Sequence, residues 1–312
     1  MTVAPEPQPV LTPLTEAAVF LVLTVDPGGE DRVRDVLGDL GAAIRTVGFR
    51  VPEGELACVL GIGAHLWERL FTGPRPKQLH PFQPLVGATH TAPSTPGDLF
   101  VHLRAKRMDL CFELARQLRA RFGPHVQVVD ETHGFRYFDE RDLLGFVDGT
   151  ESPQGAKAFR AAIIGDEDPT FAGGSYAVAQ KYLHDMPAWD ALTVQQQEAA
   201  IGRGKLDNIE QDDDLKASNS HLVLNVIEDD HGHQLQIVRD NMPFGNVGAE
   251  EYGTYFISYA ARVSTTETML RRMFIGVPEG NHDRILDFST AVTGGLFFVP
   301  SADFFDDLPE AP

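Results

Sequence analysis

The sequence predicts an α+β protein made of two halves that repeat one order of elements, β-α-β-β-α-β. Two observations predict it. Apolar runs of strand length alternate with stretches whose apolar residues recur at helical spacing, and the succession found in residues 17–138 can be traced again, more loosely, after residue 172.

In the first half, "AAVFLVLTV" (17–25) is a buried strand closed by the turn signal "DPGGED". "DRVRDVLGDLGAAIRTV" places Val33, Val36, Leu37, Leu40 and Ile44 on one helical stripe. "LACVLGIG" and "DLFVHLRA" read as strands two and three, joined by a Pro- and His-punctuated connection over 72–96. "MDLCFELARQLRARF" is a helix with Cys111, Leu114, Ala115, Leu118 and Phe122 on one face, and "VQVVDETHGFRYF" is the fourth strand. This is the split βαβ, or ferredoxin-like, unit, with antiparallel sheets and helices on one face.

The second half opens with the strand "GSYAVAQKYLHD" and the helix "TVQQQEAAIGRG", for which Thr193 is the N-cap. An acidic connection leads to two strand-like segments, "HQLQIVRD" and "GTYFISYAARV". The helix "TTETMLRRMFIG" and the strand "GGLFFVPS" complete the repeat. We expect a flexible proline-rich arm over 1–16, one ferredoxin-like domain over 17–145 and another over 146–312.

With 312 residues, 43% hydrophobic and 23% charged, the chain has ample material for a folded core. Its formal charge of −19 disfavours nucleic acid and anionic membrane surfaces. Cys58 and Cys111 sit in apolar company and form no C-x-x-C pair, so they read as buried thiols. No basic leader and no apolar run of bilayer length is present, and a cytoplasmic location is the expectation.

Several familiar motifs fail. "GIGAHL" lacks the third glycine of a dinucleotide loop, "GRGK" the rest of a P-loop, and "EQDDDLK" the spacing and glycine of an EF-hand. What remains is a set of polar residues in apolar or tightly turning company. Asp148 lies in "GFVDGTESP", His221 in "SNSHLVLNVI" at what reads as a strand start, and Asp287 in "RILDFSTA". Arg239 and Asn241 in "LQIVRDNMPFG" are spaced i, i+2, which puts them on one face of a strand. Each has an ordinary reading alone: an Asx-turn carboxylate, a histidine at a strand end, a cap, a rim arginine and a turn asparagine.

Taken together and in order, these segments, with the G-x-x-D-G of Gly145, Asp148 and Gly149 and the terminal "DFSTAVTGGLFFVPS", resemble the dye-decolorizing peroxidase family, closest to its B-type branch. The resemblance implies two ferredoxin-like halves with a non-covalent haem b in the C-terminal half. It implies a peroxidase that reduces hydrogen peroxide through a ferryl state and oxidises dyes, phenols or other bulky one-electron donors. Carried over, His221 is the proximal iron ligand and Asp287 its carboxylate partner. Asp148, Arg239 and Asn241 are the catalytic groups facing peroxide, with Arg239 also bordering the cofactor. Arg203 would pair with a haem propionate, Phe256 and Phe274 would form apolar walls, and Trp189, Tyr182 and Tyr252 are radical-site candidates. Glu151 and Glu210 resemble acidic positions near the haem edge. Self-association is possible in this family. Because the sequence stops at "FFDDLPEAP", close after the last strand, we expect no loading into a protein compartment. Two rival readings stand beside this one: a haem-handling protein with incidental peroxidase activity, and a non-catalytic ferredoxin-like ligand-binding module.

Overall fold

The computed structural model describes residues 5–312. Strand β1 (Ala17–Val25) is buried along its whole length save one half-buried position, Thr24, as its unbroken apolar run requires. The helix expected after it is two, α1 (Glu30–Gly38) and α2 (Leu40–Gly48), which pivot at Asp39 between two glycine-bearing turns. The pivot lets both segments lay their stripes on the sheet: Val33, Val36 and Leu37 from the first, Leu40, Ala43 and Val47 from the second. Strand β2 (Ala57–Gly63) runs directly into α3 (Ala64–Leu70), a helix that the glycine-rich "GIGAHL" concealed and that buries Leu66, Trp67 and Leu70. Strand β3 (Leu99–Ala105), helix α4 (Met108–Phe122) and strand β4 (Val126–Phe135) follow.

After α5 (Gly155–Ala162), the second half contributes β5 (Ser175–His184), α6 (Met186–Asp190) and α7 (Val194–Ile201). Thr193 caps α7, accepting from the Gln196 N–H while the Gln196 side chain accepts from the Thr193 N–H. His221 does not begin a strand: it opens the five-residue helix α8 (His221–Asn225), with Ser220 at the N-cap position. The segment 233–240 supplies only the short β6 (Val238–Arg239) to the main sheet. Then come β7 (Met242–Asn246), β8 (Glu251–Ala260), α9 (Val263–Phe274), β9 (Ser289–Ala291) and β10 (Gly295–Val299).

Both halves have the ferredoxin-like strand order. The first reads β4-β1-β3-β2 and the second β10-β5-β8-β6, and every pairing is antiparallel. The halves fuse into one sheet because β10 also pairs with β2, Phe297 opposite Gly63 and Phe298 opposite Ile62. That sheet curls on itself. Phe20 of β1 stacks on Tyr255 of β8 with ring centroids 4.1 Å apart, and Lys181 of β5 reaches Asp130 of β4 at 3.7 Å. Its inner face is an apolar core of Ala18, Phe20, Val59, Phe100, Ala177, Val238, Met242, Ile257 and Phe297. Alternate residues of the same strands face outward and meet the helices.

Residues 5–16 are not a free arm, and the first four lie outside the described residues. Gln8 is buried, and its amide bonds the Leu60 carbonyl at 2.9 Å, the Pro300 carbonyl at 2.9 Å and the Leu60 N–H at 2.8 Å. It fills the place where β2 and β10 part company and backbone groups would otherwise be unpaired. Arg104, buried on the inner face, bonds the carbonyls of Pro9 and Thr12 and the carboxylate of Asp240.

Candidate active site

The cavity lies on the outer face of the C-terminal half of the sheet, roofed by α8 and α9. It opens to solvent at its mouth. Period-two alternation decides which side chains reach it. Val238, Asp240 and Met242 point inward, so Arg239 and Asn241 point out into the cavity, beside Thr254 and Phe256 of β8 and Tyr182 and His184 of β5. Leu222, Ile237, Met269, Leu270, Met273 and Ile285 supply apolar walls.

Asp148 reaches the same space from its loop. A small core of Leu144, Phe146, Trp189 and Ala200 pins the loop, and the Trp189 indole N–H donates to the Leu144 carbonyl at 2.9 Å. Gly145 and Gly149 have φ of +92° and +78°, left-handed conformations that let the chain reverse on either side of the acid. Asp148 Oδ1 accepts from the Gly149 N–H at 2.6 Å, and Oδ2 accepts from Asn241 Nδ2 at 3.0 Å. The orientation of that amide is fixed independently. Asn241 Oδ1 accepts from the Ile257 N–H at 3.1 Å, where the ladder between β6 and β7 is interrupted, so the NH₂ end must face the carboxylate. The Arg239 guanidinium borders the cavity and has no hydrogen-bond or ion-pair partner among the described residues. A free cation beside a bonded carboxylate is an arrangement suited to a polar ligand that develops negative charge.

From the helical side comes His221. Its Nδ1 bonds Asp283 Oδ2 at 2.7 Å, and Asp283 is fully buried. The other ring nitrogen, Nε2, makes no hydrogen bond within the described residues, and the ring lines the cavity. His184 lines it too, but Ser289 Oγ at 2.8 Å and Thr254 Oγ1 at 2.9 Å occupy both its nitrogens, and burial lowers its pKa to about 4. Of the two cavity imidazoles, only His221 has a lone pair to give a metal.

The expected carboxylate partner, Asp287, is the wrong aspartate. Residues Arg284–Asp287 form one tight 3-10 turn capped by Asp283, whose Oδ1 accepts from the Ile285 N–H at 3.0 Å, leaving Oδ2 for His221. Asp287 ends that turn on the far side, 44% exposed, and bonds His90 and His282 instead. Burial raises its carboxyl and those two imidazoles more than offset this, so the net shift is downward.

Arg203 borders the cavity, bonded to Glu151 and to the Asn208 carbonyl at 2.7 Å, with Glu210 at 3.6 Å. Glu151 and Glu210 thus sit at the rim. Phe256 lines the cavity, whereas Phe274 belongs to the core beneath. Tyr182 is a wall residue, Tyr252 is half-buried, and Trp189 is sealed from solvent under the loop. One cavity acid escaped notice in the sequence. Asp142 binds the Phe146 N–H at 2.9 Å, and burial, with the nearby charge of Asp148, pushes its carboxyl up to about 7.

The family models for the N-terminal and C-terminal parts of the Dyp-type peroxidases match residues 7–136 and 139–304. The chain belongs to the Dyp-type peroxidase family. A dye-decolorizing peroxidase of Rhodococcus erythropolis is 61% identical over 306 residues, covering 98% of this chain and 90% of the relative. Among solved structures, a variant of DypB from Rhodococcus jostii RHA1 in complex with heme is 55% identical, with a TM-score of 0.96 over 99% of this chain and 100% of that one. An encapsulated DyP-type peroxidase from Mycobacterium smegmatis is 59% identical, with a TM-score of 0.98 over 99% of this chain and 100% of that chain. This last likeness overturns the expectation against encapsulation. A short stretch after the final strand carries no information about packaging when so similar a chain is packaged.

Proposed function

We propose that this Dyp-type peroxidase binds one non-covalent haem b in the C-terminal cavity and uses it to reduce hydrogen peroxide at the expense of aromatic one-electron donors. The observation that carries the reading is the pair of opposed polar sets: an imidazole with one nitrogen held by a buried carboxylate and the other free, facing a cavity that Asp148, Arg239 and Asn241 enter from the sheet. The donor set fits haem. The neutral His221 imidazole would hold the iron, the walls between the two sets are apolar, and the Asp283 carboxylate would fix the tautomer and raise the basicity of the ligand nitrogen.

When bound, haem supplies the electrons that split the peroxide bond and recovers them one at a time from the donor. The protein supplies the proton handling. Asp148 Oδ2, held by Asn241, takes the proton from one peroxide oxygen and returns it to the oxygen that leaves as water. Arg239 cannot act as a base, and its unpaired cation stabilises the negative charge that builds on the departing oxygen. The tight Gly149–Asp148 turn keeps the acid from swinging away between the two transfers. Arg203, already engaged by Glu151, can meet a propionate only by sharing or exchanging that carboxylate.

With a net charge of −19, the surface favours neutral or cationic donors. No helix among the described residues is long and apolar enough to cross a membrane. The likeness to the encapsulated relative supports packaging of this chain inside a protein shell, and we place it in the cytoplasm. Peroxide-dependent dye oxidation by the haem-loaded protein, compared with Arg239→Leu, tests the reading. Turnover lost in the variant while haem stays bound supports it. Equal and feeble turnover in both would transfer the case to haem handling.

A further inference from the structure

A second group of ligating side chains lies outside the cavity, where the two halves meet. His90 belongs to the N-terminal half, at the turn of the small hairpin Leu85–Val86 and Thr91–Ala92. His282 and Asp287 belong to the C-terminal half and flank Asp283 in sequence. The Nε2 atoms of His90 and His282 lie 2.9 Å and 3.0 Å from the same oxygen, Asp287 Oδ1, and the ligand atoms of all three residues fall within 4.8 Å of one another. From these positions we infer that the chain carries a divalent transition-metal site, formed by His90, His282 and Asp287, that clips the two halves together; it stands independently of the haem reading.

Two imidazoles and a carboxylate are a ligand set for zinc and neighbouring late first-row divalent ions, and too poor in oxygen for calcium or magnesium. Neither ring's Nδ1 is hydrogen-bonded among the described residues, so each can hold the ring proton while Nε2 gives its lone pair to the metal. Tetrahedral zinc with bonds of about 2.0–2.1 Å separates its donors by about 3.3 Å. The two Nε2–Oδ1 separations therefore need to open by only a few tenths of an ångström. His90 and His282 keep 21% and 20% of their side chains exposed, which leaves a route for the ion and room for a water as fourth ligand.

The backbone on both sides is already fixed. The Gly87 N–H closes the hairpin turn onto the His90 carbonyl at 2.9 Å, and a Cβ on Gly87 would fall 2.0 Å from the Phe274 carbonyl oxygen, so the hairpin docks directly on the end of α9. The Asp283 N–H bonds the Met273 carbonyl at 2.8 Å at the same end of that helix. A metal here holds in place the segment from which Asp283 reaches His221.

The test is a zinc titration of the haem-loaded, chelator-stripped protein against a chromogenic zinc indicator. A competing candidate must be controlled for: Asp229, His231 and His233 form an exposed polar tip, with His233 Nδ1 3.3 Å from Asp229 Oδ2. We expect one tight equivalent, weakened at least tenfold by His90→Gln and separately by His282→Gln, and unchanged in a His231→Gln/His233→Gln variant. Asp287→Asn, nearly the same shape, should weaken it as well. Calcium at the same concentration should not displace it. Absence of a tight equivalent overturns the inference, as does zinc that survives the His90 and His282 changes or that disappears with the exposed pair.

Discussion

The two halves share a strand order and differ in what covers their sheet. In the N-terminal half, residues 26–56 connect the first two strands through two helices that press Val33, Leu37, Leu40 and Val47 into the core on it. In the C-terminal half the equivalent connection, residues 185–237, is longer and more polar. It passes through α6, α7 and an acidic loop before α8 returns His221 above the sheet without touching down. The difference is a cavity. One scaffold used twice gives a closed packing unit and an open site, and the longer connection makes the second into the first's opposite.

Predictions can break this contrast or sharpen it, beginning with the largest effect. Removing the free imidazole with His221→Ala should abolish peroxide turnover and change the haem absorption band, because His184 has no spare nitrogen to replace it. Unchanged absorption would mean that the cavity holds the cofactor by another ligand.

The closed half also braces the open one. Arg104 of β3 pairs with Asp240, which sits between Arg239 and Asn241, and both partners are buried. Arg104→Leu strands the Asp240 carboxylate and should cost about 3–5 kcal/mol in denaturant unfolding, the usual penalty for one partner lost from a buried pair. A loss under about 1 kcal/mol would show the halves to be energetically separate. Next, Arg239→Leu should slow the reaction with peroxide by about 10²–10³-fold, as for loss of one donor at a developing anion. Asp283→Asn keeps the shape but not the charge at His221 Nδ1, and a reduction of about 10–100-fold in activity is expected.

The smallest effect is a pH dependence. Asp142 has a carboxyl raised to about 7 in the folded chain, against an ordinary value of 3.8. The folded state keeps this proton where the unfolded state has released it. Its stabilising contribution is therefore present below about pH 4 and is lost as pH rises through 7. Asp142→Asn should leave Tm unchanged near pH 4 and raise it above pH 7, which thermal melts across that window would read.

Much of this was legible in the sequence because it depends on local periodicity. The i, i+2 spacing of Arg239 and Asn241 puts both on one strand face, and Thr193 reads as a helix N-cap. The choice between Asp283 and Asp287 was not legible. Asp287 read as a cap and Asp283 drew no notice, and only the turn's direction, set by its docking on α9, sends Asp283 inward and Asp287 out. Residues 5–16 misled for a similar reason. A proline-rich stretch looks free until the carbonyls of Leu60 and Pro300, far along the chain, claim Gln8. Helix α3 was hidden by glycines that belong to the strand before it. The family resemblance supplied the order of the site residues, and the fold supplied their partners.

The central claim is that His221 and the Asp148–Arg239–Asn241 group serve one cofactor from two sides. An absorption spectrum of the haem-loaded protein, taken before and after one equivalent of hydrogen peroxide in the native chain, in His221→Ala and in Arg239→Leu, tests it most directly. The account predicts a resting band that only His221→Ala alters and a rapid peroxide-induced change that Arg239→Leu slows without altering the resting band. A peroxide response indifferent to both substitutions would contradict it.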